Sequence, residues 1–524
     1  MARLYEYQSK ELLKKEGISV PQGAVAGSAE EAYEVASKLD KPVVLKAQVW
    51  VAGRAGLGGV QFADTPDEAK DKARKLLGMK IKNFVVERVL VEEKLSIEKE
   101  FFAGMVIDDS QKRPVLIFSA VGGTGIEEIA RKYPDKVFRI PVNMREGLKE
   151  YQIRNIIRKA NFSGKVLLRL SDSLTRLYRA GRKFEARSIE VNPLVLTKSG
   201  QILAADCHMA VDDYAVFRHP ELGIEVAREF DRPPSELEKI AYKVEEKDYR
   251  GTFYFFQMLD DIRPEDKAIG FHGAGGGGSM MSMDAVLKRN FKLANYCDTS
   301  GNPPAGKVYR AAKIILSQPG IIGYFASGSG VASQEQYHSA RGFVKAFLEE
   351  SLSIPAVIRL GGNYEEAAVN ILHTYLKKTP AVVEGYGKND SPEFCAQRLE
   401  ELVNENKLKP YRVKLLREPD LTVFSYRFET FTGEILIDHR KCERCRTKGC
   451  PKACPHGILK LDDNGYPVLA LSREEVKKGK CTECLACEIF CKFHEQDALF
   501  INLPIPGLKE YRERVLEIRN KERA

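Results

Sequence analysis

Apolar and polar residues fall into short alternating blocks along most of the chain. Val43-Val44-Leu45-Lys46-Ala47 has the length of a buried strand. Leu167, Leu170, Leu174 and Leu177 recur at helical spacing, which predicts an amphipathic helix. Residues 189–196 and 202–205 are strand-like runs joined through Lys198-Ser199-Gly200, the pattern of a hairpin. Arg232-Pro233-Pro234 reads as a linker.

Beyond the linker the strands become more continuously apolar. Ala268-Ile269-Gly270-Phe271, Ile321-Ile322-Gly323-Tyr324-Phe325 and Ala356-Val357-Ile358-Arg359-Leu360 each lead into a glycine-bearing turn and a helical stretch. Strand, turn and helix in that order predict a doubly wound parallel sheet. A joining segment covers about 416–430, and cysteines dominate the next 75 residues or so. Tyr511, Val515 and Ile518 stand at helical spacing in a charged end, which reads as a docking helix or a frayed tail. The expected domains are 1–233, 235–415 and 430–505, with 508–524 as that helix or tail.

Composition alters this picture little. The 524 residues are 44% apolar and 30% charged, ordinary for a globular chain with room for several cores. A net charge of +9 is spread out, with no basic run or aromatic-interleaved patch, so no nucleic-acid partner is expected. No apolar run approaches the roughly 18 residues of a membrane span. The start, Met1-Ala-Arg-Leu, lacks a signal-peptide core. A cytoplasmic protein without a membrane partner is expected. In that compartment clustered cysteines serve as metal ligands or redox groups more often than as disulfides.

Eight of the eleven cysteines fall within 442–491. Cys207, Cys297 and Cys395 are scattered and read as buried thiols. The eight form two runs, Cys442-x2-Cys445-x4-Cys450-x3-Cys454-Pro455 and Cys481-x2-Cys484-x2-Cys487-x3-Cys491. Close spacing lets one loop wrap three corners of an iron–sulfur cube, and in two-cluster ferredoxins the fourth cysteine serves the other cube. One 4Fe–4S cluster is thus expected on Cys442, Cys445, Cys450 and Cys491. The other is expected on Cys454, Cys481, Cys484 and Cys487. Two four-thiolate zinc sites are the competing reading; the spacing and the Cys-Pro argue against them. Two extra residues in the first run, and Cys491-Lys492 in place of Cys-Pro, depart from the common pattern without removing a ligand. This region resembles the bacterial two-cluster ferredoxins.

Lys46 closes a strand and leads through Gly53-Arg54 into Gly56-Leu-Gly58-Gly59-Val60. A lysine at a strand end beside a glycine-rich loop suits phosphate oxygens. Glu92 and Glu100 frame a later strand. Asn192 and Asp206 lie on the two arms of the hairpin, where their oxygens suit Mg²⁺. Together with Leu4-Tyr-Glu-Tyr-Gln-Ser-Lys-Glu, Gly122-Gly123, Ile126-Glu127 and Glu190-Val-Asn-Pro-Leu-Val, these residues resemble the ATP-grasp β-type subunits of the succinyl-CoA synthetase superfamily. The resemblance covers roughly 1–400. It implies nucleotide contacts at Lys46, Gly53, Arg54, Glu92 and Glu100, of which Lys46 and Glu100 are catalytic candidates. It also implies Mg²⁺ at Asn192 and Asp206. Gly56 departs from the pattern, since relatives often carry lysine there.

The family fold so implied is α/β: an ATP-grasp domain, a flavodoxin-like doubly wound CoA-ligase domain, then a small α+β ferredoxin domain. In the second domain, His272 precedes a run of glycines that opens a helix, a natural anion site. His272 is a candidate catalytic and substrate residue, or else a satisfied polar residue at a strand end. Ser329, Gly330, Ser333 and Arg359 are further substrate candidates. Leu293-Ala-Asn-Tyr and Gly361-Gly362-Asn363-Tyr364 are similar to ATP-citrate lyase and citryl-CoA synthetase. The Gly328–Ser333 loop lacks that family's asparagine and threonine.

The resemblance implies an ADP- or GDP-forming carboxylate–CoA ligase using ATP, Mg²⁺ and CoA. The acid would be a citrate-like or succinate-like di- or tricarboxylate. A separate α-type subunit would carry the phosphohistidine and most of the CoA site. Ligation needs no electrons, so the cysteine-rich region asks for another role: service to a ferredoxin-dependent oxidoreductase as a second partner, a structural prop, or a redox sensor. The alternative is an electron-transfer subunit that keeps the ligase scaffold for assembly.

Overall fold

The computed structural model describes every residue except 52, 123–124, 229, 231, 249–251, 329, 416–417 and 524, with side chains described as far as Ile518. Two compact units result, Met1–Pro234 and Ser235–Ala524. Among the described residues no helix is long and apolar enough to cross a membrane.

In the first unit, strands Gly23–Ala26, Val89–Glu93, Val43–Ala47 and Val60–Ala63 form an antiparallel sheet in that order. Side chains alternate across it. Val43, Leu45, Val89 and Val91 are buried with Ala32, Ala36, Ala69 and Ala73 of helices Ala29–Leu39 and Pro66–Leu76. Lys46 opposes Leu90 and Val44 opposes Glu92, so Lys46 and Glu92 share the other face. Both helices start on a capping hydroxyl: Ser28 accepts from the Glu31 N–H and Thr65 from the Glu68 N–H. A second, larger antiparallel sheet is built on Ala186–Thr197 and Ile97–Asp108. The expected hairpin is present, with Leu194 opposite Ala204 and Leu196 opposite Ile202. Helix Gly164–Lys183 buries Leu167, Leu170, Leu174 and Leu177.

The second unit contains a sheet in the order Tyr254–Gln257, Asn295–Asp298, Ala268–Ala274, Gly323–Gly328, Ala356–Arg359, Val383–Tyr386. Only the first of these strands pairs antiparallel. Apolar clusters lie on both faces. One holds Ile269, Phe271, Phe325 and Val357, and the other holds Ala268, Tyr324, Ala326 and Ile358. Helices Gly276–Leu287 and Pro392–Glu405 cover the first face; Ala305–Ile315 and Tyr337–Glu349 cover the second. This is the doubly wound arrangement expected from the strand–turn–helix repeats.

The cysteine-rich part adds a three-stranded antiparallel sheet, Tyr426–Glu429, Glu434–Ile437 and Leu499–Asn502. It also has a small hairpin, Leu459–Leu461 with Pro467–Leu469. Its first strand lies in the segment read from the sequence only as a joining segment. One apolar cluster runs from Leu237 through Tyr324 and Phe347 to Ile435, Cys487 and Leu508. The doubly wound part and the cysteine-rich part therefore share one core. The chain ends in helix Leu508–Arg523, anchored by the fully buried Arg512. Arg512 donates to Glu350 at 2.9 Å, the Ser317 hydroxyl at 2.8 Å and the carbonyls of Lys313 and Lys414.

Candidate functional site

Three cations and three carboxylates meet in the first unit. Lys46 Nζ lies 2.8 Å from Glu6 and 3.1 Å from Glu92, and it donates to the Ala205 carbonyl at 2.5 Å. Lys10 Nζ reaches Glu92 at 2.7 Å and Glu6 at 2.8 Å. Arg54 donates to Glu6 at 2.7 Å, to Asp206 at 3.2 Å and to the Ala47 carbonyl at 2.7 Å. Gly53, at a φ of +70°, turns the chain into the short helix Arg54–Leu57 that delivers this guanidinium.

Formal charges cancel, which is what lets such a group be buried. Burial alone would lower the pKa of Lys46. Glu6, Glu92 and Asp206 outweigh it and keep the ammonium charged, with its pKa raised. Burial also pushes the Glu6 carboxyl up, but Lys10, Lys46 and Arg54 win and hold it well below the usual range.

Asp206 stands at the rim of this group. The Ala205 N–H donates to the Pro193 carbonyl at 3.1 Å, which makes Asn192 and Asp206 neighbours across the hairpin. Asn192 donates to Glu190 at 3.2 Å. Burial raises Glu190 above its ordinary value. Glu100 is half-buried on strand Ile97–Asp108 opposite Val195. Of the expected nucleotide positions, Lys46, Arg54 and Glu92 thus come together, with the expected Mg²⁺ position Asp206 beside them, and Glu100 forms no ion pair with this group.

Sequence reasoning passed over Glu6 and Lys10. Helix Glu6–Lys15 buries Glu6, Ser9, Lys10 and Leu13, positions i, i+3, i+4 and i+7. Two opposite charges on the stripe that should be apolar were the available signal.

The second unit treats its candidates differently. His272 is 2% exposed, with Nδ1 at 2.7 Å from the Tyr324 hydroxyl and Nε2 at 3.1 Å from the Thr299 hydroxyl. Burial lowers its pKa to about 3. Both nitrogens are engaged inside the sheet, so His272 fits the satisfied-polar reading and not the substrate-facing one. Arg359 is likewise spent on backbone, donating to the carbonyls of Gly328 at 2.9 Å, Asp390 at 2.6 Å and Lys388 at 3.1 Å. That geometry departs from the substrate contact expected of it. Ser333 accepts from Asn302 at 2.9 Å beside an open cleft. Gly330 takes a φ of +79° close to the Arg359 guanidinium. Ser329 lies outside the described residues.

The cysteine runs fold into two groups. Cys442, Cys445, Cys450 and Cys491 line one small cavity. After burial, Cys491 is the neighbour that most raises Cys442 and Cys450, to about 11 and about 12. Cys454 in turn acts on Cys481, Cys484 and Cys487. Each group takes three thiols from one run and the fourth from the other. Among the described residues no group of three or more His, Cys, Asp or Glu side chains is set to hold a metal ion. Cys207, Cys297 and Cys395 are buried.

Comparison with known proteins bears on this architecture. The ATP-grasp domain family matches residues 3–196, which include Glu6, Lys10, Lys46, Arg54 and Glu92. The GDP-forming succinate–CoA ligase subunit beta of Thermus thermophilus is 38% identical over 369 residues, 70% of this chain and 93% of that protein. The ADP-forming subunit beta of Ignicoccus hospitalis is 36% identical over 372 residues, 70% of this chain and 93% of the relative. The chain belongs to the succinate–CoA ligase β-subunit family.

Within this β-subunit family the fold likeness extends further. A solved ATP citrate lyase from Methanothrix soehngenii, in complex with citrate and coenzyme A, superposes with a TM-score of 0.63 at 20% identity. It covers 77% of this chain and 99% of that one. At that identity the likeness is one of fold.

Proposed function

We propose that this family member is the nucleotide-binding subunit of an ADP- or GDP-forming carboxylate–CoA ligase that acts on a di- or tricarboxylate. The observation that carries the reading is the convergence of Lys46, Arg54, Glu92 and Asp206 around Glu6. Lys46 and Arg54 are fixed positive charges suited to phosphate oxygens, and Glu6 orients both. Asn192 and Asp206 supply the oxygens for Mg²⁺, which when bound neutralises phosphate charge. Glu100 is proposed to complete the nucleotide site. The likeness to β subunits supports a separate α-type partner with the phosphohistidine and most of the CoA site.

Calorimetry with ATP–Mg²⁺ tests the reading. Wild-type protein binds, and Lys46→Met loses about tenfold or more in affinity, the cost of one charge-assisted contact. Absence of binding by the wild type removes the ligase assignment. A screen of citrate, succinate and malate with ATP, CoA and the co-purified partner then identifies the acid.

For the cysteine-rich part we propose two 4Fe–4S clusters, one on Cys442, Cys445, Cys450 and Cys491 and one on Cys454, Cys481, Cys484 and Cys487. Two groups of four thiols, each with its fourth member from the other run, support this. A cube spreads its four ligands over separate corners, so its thiols need not crowd about one point as a zinc site demands. Such clusters carry single electrons, which favours a ferredoxin-dependent oxidoreductase as a second partner. If ATP–Mg²⁺ fails to bind while iron and sulfide are present, the chain is an electron-transfer subunit on a retained scaffold.

A further inference from the structure

A cleft of about 670 Å³ opens within the second unit. Asn302, Ser333 and His338 line it from the doubly wound part. His456 and Thr482 line it from the cysteine-rich part. His456 stands two residues after Cys454, and Thr482 directly follows Cys481. One wall is thus made of residues that flank two thiols of a single cysteine group.

The lining suits an anion. Hydroxyl, amide and imidazole groups dominate, and Glu335 is its one carboxylate. Helices Ala305–Ile315 and Tyr337–Glu349 both begin at the cleft, and neither start is capped by a side chain. Both walls are set in advance. Asn302 donates to Ser333 at 2.9 Å and accepts from the Gln334 N–H at 2.9 Å. His456 Nε2 and the Thr482 hydroxyl lie 2.9 Å apart.

Each helix that opens on the cleft is also tied to a cysteine-bearing segment. In the first helix, Arg310 donates to the Thr432 carbonyl at 3.0 Å and pairs with Glu483 at 3.8 Å. Glu483 lies between Cys481 and Cys484 and accepts from Thr430 at 2.6 Å and from the Thr432 N–H at 2.7 Å. In the second helix, Lys345 donates to Glu488 at 2.5 Å. Glu488 belongs to helix Ala486–His494, which carries Cys487 and Cys491.

We infer that this cleft binds a small carboxylate anion through both walls, with His456 and Thr482 contacting it alongside Ser333, and that its occupancy is coupled to the charge held by Cys454, Cys481, Cys484 and Cys487. The coupling half rests on the proposed clusters; the shared site does not. The sign follows from Coulomb's law. An added electron and a bound carboxylate repel, so reduction weakens anion binding, and the bound anion makes reduction harder by the same factor.

The test uses the full chain, purified anaerobically, with citrate and succinate as calorimetric probes. Binding of at least one probe is expected, weakened about tenfold by Ser333→Ala and by His456→Ala alike, the loss of one hydrogen bond to a charged group. His456→Gln keeps a donor and restores most of the affinity. Photoreduction weakens binding about fivefold, the lower end of ordinary allosteric coupling. Unaltered iron content in each variant separates ligand loss from cluster loss. Failure of both probes to bind overturns the site, as does full affinity in His456→Ala. Equal affinity in oxidised and reduced protein overturns the coupling. Failure of the ligase reading would show separately, as absent ATP–Mg²⁺ binding, and failure of the cluster reading as absent iron.

Discussion

Glu6 and Arg54, 48 residues apart in the chain, meet at 2.7 Å with almost no solvent between them and the interior. The same carboxylate also holds Lys10 and Lys46. Removing it leaves three cations facing two carboxylates. Glu6→Gln is expected to cost about 3–5 kcal/mol of unfolding free energy, the usual result of orphaning a buried charge. Urea denaturation measures this, and a loss below about 1 kcal/mol would contradict the balance of charges described. A pH series adds a sign. The folded Glu6 carboxyl titrates well below its ordinary 4.5. Its stabilisation is therefore complete above that value and is lost as pH falls through the depressed one. The gap between wild type and Glu6→Gln closes in acid.

His272 makes the opposite kind of statement. Burial holds its folded pKa at about 3 against an ordinary 6.5. The unfolded chain takes up the proton first, so this contribution is present above 6.5 and drains away as pH drops toward 3. Denaturation midpoints of wild type and His272→Gln should converge across that window. A constant difference between them would mean the imidazole is reachable by solvent.

Arg512→Met leaves Glu350 with Lys313 and Tyr411 but without its guanidinium partner. A loss of about 3–5 kcal/mol is expected for the second unit by thermal or urea unfolding. An unchanged midpoint would mark the last helix as an ornament on the unit instead of part of it.

The crossed thiol groups make a prediction that a simple sequential pairing does not. Cys491→Ser should alter the paramagnetic signal of the cluster proposed for the first cysteine run. Cys454→Ser should alter the other. If each change perturbs the cluster of its own run, the exchange of fourth ligands is wrong.

Periodicity carried much of the architecture. The helix that buries Leu167 to Leu177, the hairpin around Ser199 and the parallel strands at Ala268, Gly323 and Ala356 all lie where spacing put them. Such signals are local, and local patterns survive in sequence. What escaped was long-range. Glu6 and Lys10 look like ordinary surface residues until Glu92 is brought to Lys10 from 82 residues away and Arg54 to Glu6 from 48. Arg359 resembles a carboxylate binder because nothing in the sequence says that three carbonyls converge on it. His272 precedes a glycine-rich turn, which suggests exposure, yet Tyr324 and Phe343 close over its ring. Strand Tyr426–Glu429 was missed because four alternating residues are too few to stand out from a linker.

The core that runs unbroken from Leu237 to Leu508 has a consequence for how the chain endures. A detachable module can be clipped off or left empty while its neighbour works on. Here, among the described residues, the two parts of the second unit share one buried apolar cluster instead of having one each. Losing the thiol-bearing loops would bare the apolar flank of the doubly wound sheet, and the surfaces that face the cleft would go with it. If the proposed clusters are what holds those loops, their loss would unsettle the doubly wound part as well.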